Sequence, residues 1–202
     1  MEDNFEAWRS ALREYGIALQ PEDYYPLEGL SVYELPERLF GKYHKKPPAP
    51  KTVADKKEAY YLKNHHFSFY PGAETLIDLL CSHKVPLAIV TTALRTRLDH
   101  SVPRGFLTQF QGIVTGEDTK EGKPSPAPYL KGAEKLGFPP QDCLVVENAP
   151  LGIESAKRAG AYCIAVCNTL SREYLGQADE VVESLEDLLR VSKVKELLGE
   201  GP

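Results

Sequence analysis

The chain has little of what several protein classes require. Four cysteines in 202 residues, Cys81, Cys143, Cys163 and Cys167, all in or beside apolar runs, suit reduced, buried thiols better than a disulfide framework. Cys163 and Cys167 stand four apart, but the segment from Tyr162 to Val166 reads as a strand, which disfavours a metal pair. No apolar run approaches the roughly 18 residues of a membrane span. The acidic start Met1-Glu2-Asp3-Asn4 is unlike an export signal, so a cytoplasmic location is expected. There is no basic excess: the formal net charge is −5, which is no footprint of nucleic-acid binding. The lysines between Lys42 and Lys51, spaced among prolines, read as a solvated loop. No repeat or low-complexity tract is present, and no Asp-x-Asp string occurs anywhere.

What is present suits an α/β domain with a small appendage, since 42% hydrophobic and 26% charged residues over this length supply a sizeable core. The periodicity changes near residue 70. Before it, Phe5, Trp8, Leu12 and Tyr15 recur at helical spacing until Gly16 supplies a stop. Further helices are expected at Val32 to Tyr43 and Val53 to Asn64, flanking Pro47-Pro48-Ala49-Pro50. Residues 1–70 therefore read as a helical unit and 71–202 as a wound α/β unit. In the latter, helices are expected at Ala73 to Ser82, Pro126 to Leu136, Leu151 to Ala159 and Leu185 to Leu198. Strands are expected at Pro86 to Val90, Gly112 to Thr115, Cys143 to Val146, Tyr162 to Val166 and Glu180 to Val182. Alternation of this kind implies parallel strands joined by helical crossovers.

Three strings carry chemistry. Thr91 and Thr92 follow the apolar run Leu87-Ala88-Ile89-Val90, at the carboxyl end of a strand, where open α/β sheets bind ligands. Their hydroxyls and neighbouring N–H groups can hold phosphate oxygens. Lys123, between Gly122 and Pro124, precedes a helix and could neutralise a transferring phosphoryl group. Glu147 and Asn148 close the apolar strand beginning at Cys143 and offer hard oxygen ligands for Mg²⁺. Arg95, just beyond the threonines, is a further candidate phosphate ligand. His65-His66 and the loop acids Glu117 and Asp118 could in principle serve as base or ligand, but the surface readings of all four are favoured.

In this order the strings resemble the second, third and fourth motifs of the haloacid dehalogenase-like hydrolases, in the branch of beta-phosphoglucomutase and sugar-phosphate phosphatases. The string Val145-Val146-Glu147-Asn148-Ala149-Pro150-Leu151-Gly152-Ile153 carries most of the likeness. The resemblance implies a Rossmann-like parallel sheet with helices on both faces and a helical cap over the site. It implies Mg²⁺-assisted hydrolysis of a small phosphate ester, with Thr91, Thr92, Lys123 and Arg95 on the phosphate and Glu147 and Asn148 on the metal. Two departures matter. Asn148 stands where the family has a second acid, which weakens the metal site, and Ala127 replaces another acid.

The family's first motif, Asp-x-Asp-Gly, is missing, and Asn4-Phe5-Glu6-Ala7-Trp8 looks like the first cap helix, so the chain reads as lacking the opening strand, its aspartyl nucleophile and the neighbouring acid. Because that strand lies mid-sheet in the family, backbone groups beside it would be left unmet at roughly 1–3 kcal/mol each. The gap is expected to be filled by another segment, relieved by rearrangement, or closed by self-association. Three functional readings stay open: a phosphohydrolase scaffold without its nucleophile, a metal-water phosphoesterase acting on diesters or triesters, and a non-catalytic phosphate-ligand-binding or regulatory protein.

Overall fold

The computed structural model describes residues 2–200. The chain opens with α1 (Glu2–Arg13), whose acidic first turn and basic last residue complement the helix dipole. Gly16 then turns the chain in a left-handed conformation, φ +68°. Prolines set the starts of the next three helices, α2 (Pro21–Tyr24), α3 (Leu35–Lys42) and α4 (Pro50–Asn64), each with proline in its first two positions. This corrects two expected boundaries. A proline is tolerated only in the first turn, so Pro36 holds back the helix expected from Val32, and Pro50 belongs to α4 rather than to the preceding loop. Trp8 and Leu12 of α1, Leu39 and Phe40 of α3 and Val53 of α4 lock into one cluster and are almost wholly buried.

The second half alternates. It runs α5 (Ala73–Ser82), β1 (Ala88–Val90), α6 (Arg95–Ser101), α7 (Arg104–Leu107), β2 (Gly112–Val114), α8 (Ala127–Leu136), β3 (Leu144–Glu147), α9 (Pro150–Ala159), β4 (Tyr162–Val166), β5 (Glu180–Val182) and α10 (Ser192–Leu197). The short helices α6 and α7 are not apparent from the sequence, because each buries a single leucine, Leu98 or Leu107, and so carries no apolar stripe. The helix expected from Leu185 to Leu198 is broken: a 3₁₀ segment Glu186–Arg190 precedes α10, and Val191 between them is extended. That bend allows Leu188, Val191, Val194 and Leu198 all to enter one apolar cluster.

All pairings are parallel, as βαβ crossovers require. Alternate residues of β4 serve opposite faces. Cys163 and Ala165 join a cluster with α8 and α9, whereas Ile164 and Val166 join one with α5 and α10. Burial pushes the Cys163 thiol up to about 12, in keeping with an inert core cysteine.

The sheet is not continuous. It consists of a two-stranded ladder, β1–β2, and a three-stranded ladder, β3–β4–β5. Among the described residues no segment pairs with the free edge of β1 or of β3, so the expectation that part of this chain fills the gap is not met. A cavity of about 640 Å³ lies there instead, bordered by Val90 on one side and Val146 on the other. No helix among the described residues is long and apolar enough to cross a membrane.

Candidate active site

Three arms of the α/β half converge at the strand ends. One is the turn after β1, with Thr91 and Thr92; another is the loop Gly122-Lys123-Pro124 leading to α8; the last is the end of β3, with Glu147 and Asn148. Lys123 ties them together. Its Nζ donates to the carbonyl of Val90 (3.3 Å) and the hydroxyl of Tyr129 (3.1 Å), and it forms an ion pair with Glu147. The Tyr129 hydroxyl in turn donates to the same carboxylate oxygen, Oε1. The ammonium also lies 4.9 Å from the centre of the Tyr129 ring.

Glu147 is 8% exposed and Lys123 6%, so the pair is shielded from solvent. The second carboxylate oxygen of Glu147 accepts the backbone N–H groups of Asn148 (2.9 Å) and Ala149 (3.2 Å). Burial alone would raise the Glu147 carboxyl, but the Lys123 charge and the hydrogen bonds from Lys123, Tyr129 and Asn148 hold it below the usual range. Burial first, and then the Glu147 charge, push the Tyr129 phenol well up. Gly152 is required here because a Cβ on it would stand 2.1 Å from Glu147 Oε1.

The sequence candidates divide. Thr91, Thr92, Lys123, Glu147 and Asn148 all line the cavity between the ladders. The Thr91 hydroxyl accepts the Ala93 N–H (3.1 Å), and the Asn148 amide donates to Thr169 (3.0 Å). Arg95 is a correction. Its guanidinium is committed to Asp99 (3.0 Å), its N–H donates to Glu117 (2.9 Å), and it lines neither cavity described here. An i,i+4 partner on its own helix captures it. The favoured surface readings fit the remaining candidates. Asp118 accepts from Thr115 N–H and hydroxyl (both 2.7 Å), which hold its carboxyl below the usual range. His65 stacks on Tyr61, and the His66 N–H donates to Asp3.

A second cavity, about 290 Å³, meets the first at Thr91 and Thr92 and is rich in hydroxyls: Ser31 and Tyr33 from the helical half, Thr115 and Thr119 from the loop after β2. These residues and Tyr129 were not candidates from sequence. Tyr129 could have been found from its place on the first turn of α8, six residues after Lys123; the hydroxyls of a long loop carry no such signal.

The donor set does not fit Mg²⁺ as arranged. The four donors on Glu147, namely Lys123, Tyr129 and two backbone N–H groups, occupy the lone-pair positions of its carboxylate. Asn148 supplies no charge, and the described residues contain no cluster of three or more His, Cys, Asp or Glu able to hold a metal.

Comparison with known proteins follows the same line. The family described as haloacid dehalogenase-like hydrolase matches residues 2–166. Hexitol phosphatase A of Escherichia coli (strain K12) is 33% identical over 184 residues, covering 90% of this chain and 83% of that protein. Validoxylamine A 7'-phosphate phosphatase of Streptomyces hygroscopicus subsp. limoneus is 33% identical over 118 residues, 58% of this chain and 55% of the relative. Among solved structures, a beta-phosphoglucomutase from Clostridium difficile has a TM-score of 0.83 at 24% identity, covering 98% of this chain and 91% of the other. A hydrolase from Pseudomonas syringae has a TM-score of 0.84 at 24% identity, covering 94% and 90%. At such identity the two structures speak for the fold alone.

Proposed function

This chain belongs to the haloacid dehalogenase-like hydrolases, and from that premise we propose that it takes a small phosphate monoester of the sugar-phosphate class at the strand ends, the phosphoryl group beside Lys123, Thr91 and Thr92. The observation that carries this reading is the buried Lys123 ammonium, held where both ladders end and where two cavities meet. A phosphate dianion would compete with Glu147 for that charge, while the hydroxyl-rich cavity offers donors and acceptors to the alcohol part of the ester. The helical unit, residues 1–70 in this reading, contributes Ser31 and Tyr33 to that cavity and so bears on leaving-group choice.

Mg²⁺ is the cofactor that family membership implies, and hydrolysis the reaction. The committed lone pairs of Glu147 favour a second reading beside it, recognition of the ester without turnover.

Titration calorimetry with inorganic phosphate and hexitol phosphates, beside an aryl phosphate panel of monoester, diester and triester with metal and with chelator, tests both. Expected is monoester binding that Lys123→Ala abolishes. Metal-dependent turnover lost in Lys123→Ala and Glu147→Gln would decide for hydrolysis, with preference for diesters or triesters marking a metal-water route. No phosphate binding by the intact chain would overturn the proposal.

A further inference from the structure

The turn that carries Thr91 and Thr92 is fixed at its start and in its middle by its own half. Thr91 N–H donates to Val114 C=O (2.9 Å), and Gly116 N–H to Ala93 C=O (2.9 Å). Gly116 lies so close that a Cβ on it would stand 2.5 Å from the Thr92 carbonyl oxygen. At its far end the turn runs into α6, and there the anchoring changes sides. Leu94 packs against the core of the helical half. Arg97 sends its guanidinium into that half and commits every nitrogen there: Nε donates to Glu58 of α4 (2.9 Å), Nη2 to the other oxygen of the same carboxylate, and Nη1 to Asn4 of α1 (3.2 Å). The guanidinium carbon also lies 4.5 Å from the centre of the Tyr61 ring.

Arg95 supplies the contrast. Its side chain is 52% exposed and pairs with Asp99 on the same helix, so it ties α6 to nothing outside. The side chains of Arg97 and Glu58 are 12% and 10% exposed, and they meet through a two-bond fork that only a guanidinium can supply. A helix as short as α6 is not held in place by its own hydrogen bonds, so these outside contacts decide where it sits. Neither Arg97 nor Glu58 lines either cavity, so the pair acts at a remove from any bound ester.

We propose that Arg97 is a positioning residue: by gripping Glu58 it pins α6 to the helical half and so holds Thr91 and Thr92 in register with Lys123 for the phosphoryl group. The inference rests on the phosphate reading of those threonines. A pair that acted only through its charges would make opposite contributions to anion binding, Arg97 favourable and Glu58 unfavourable. A pair that acts through its geometry contributes alike from both members. Lys57 Nζ, 3.3 Å from Glu58, remains as its partner when Arg97 is replaced, so the substitution does not leave the carboxylate unpaired.

Calorimetry of inorganic phosphate on the full chain tests it, with Glu58→Gln, Arg97→Lys and Arg97→Met beside the wild type. Expected is phosphate affinity about tenfold weaker in each variant, including Glu58→Gln, where loss of a negative charge alone would strengthen it. The double variant of Arg97→Met with Glu58→Gln should fall within about twofold of the weaker single variant, since one shared interaction is lost. Amide exchange without phosphate should quicken at Ala93 and Gly116 in Arg97→Met. Val53→Ala, in the core of the helical half, should lower the melting temperature and keep phosphate affinity within about twofold, which separates positioning from stability. If the wild type binds phosphate and Glu58→Gln or Arg97→Lys binds it as tightly, the inference is overturned while the phosphate reading stands. Unchanged exchange at Ala93 and Gly116 would overturn it as well. If the wild type binds no phosphate, the phosphate reading fails and takes the inference with it.

Discussion

The two halves of this molecule reach closure by different means. In the helical half, Trp8, Leu12, Leu39 and Val53 are all but inaccessible, and the cluster they form needs no further partner. In the α/β half, β4 is buried along nearly its whole length, whereas no residue of β1 is fully buried and Val146 of β3 opens onto the cavity between the ladders. A helix satisfies its backbone within itself, so a bundle closes once its apolar stripes meet. A strand depends on its neighbours, so a sheet can be well packed on its faces and incomplete along an edge.

Truncation should expose this difference most strongly. Trp8→Ala, in the closed half, is expected to cost about 3–5 kcal/mol, read by denaturant unfolding. A cost below about 1 kcal/mol would show that the helical core is as forgiving as the cavity wall. Removing one partner of the buried pair, with Lys123→Ala, should cost about 3 kcal/mol, since Glu147 is left buried with only neutral donors.

The closed half carries a burden of its own. Lys57 is fully buried beside Glu58, with its ammonium over the Trp8 and Tyr61 rings. Burial, and then the nearby Arg97 charge, lower it to about 7 against the partial support of Glu58. The ordinary value is 10.5, so between about 7 and 10.5 the unfolded chain binds the extra proton, and this group makes stability rise with pH across that window. Lys57→Met should therefore stabilise the protein, by roughly 1–4 kcal/mol at pH 6 and by clearly less at pH 10. Thermal melts of both proteins at the two pH values check it, and an equal gain at both would remove the protonation argument. Smallest of all, Val146→Ala should change stability by no more than about 0.5 kcal/mol, because the side chain is not enclosed. A loss comparable to a core truncation would mean that the cavity is closed in solution.

Much of this was legible in the sequence, and the reasons are particular. β4 and β5 span the expected Tyr162–Val166 and Glu180–Val182, because each lies on a short apolar run, the first between Gly160 and Asn168 and the second ending before Glu183. The convergence of Thr91, Lys123 and Glu147 was readable because the order of strands and crossovers places strand ends together. Arg95 was misplaced because proximity in sequence says nothing of which way a side chain turns on a short helix, and Asp99 holds it. The burial of Glu147 by four donors could not be read either, since two of them are backbone groups and one belongs to Tyr129.

Lys123 has a mechanical consequence as well as an electrostatic one. Its single ammonium contacts the last carbonyl of β1 and the last carboxylate of β3, so it acts as a clasp between the carboxyl ends of the two ladders. Loss of that ammonium would loosen the two strand ends, and the site built on them, before it disturbed the packing of α8 on β1 and β2.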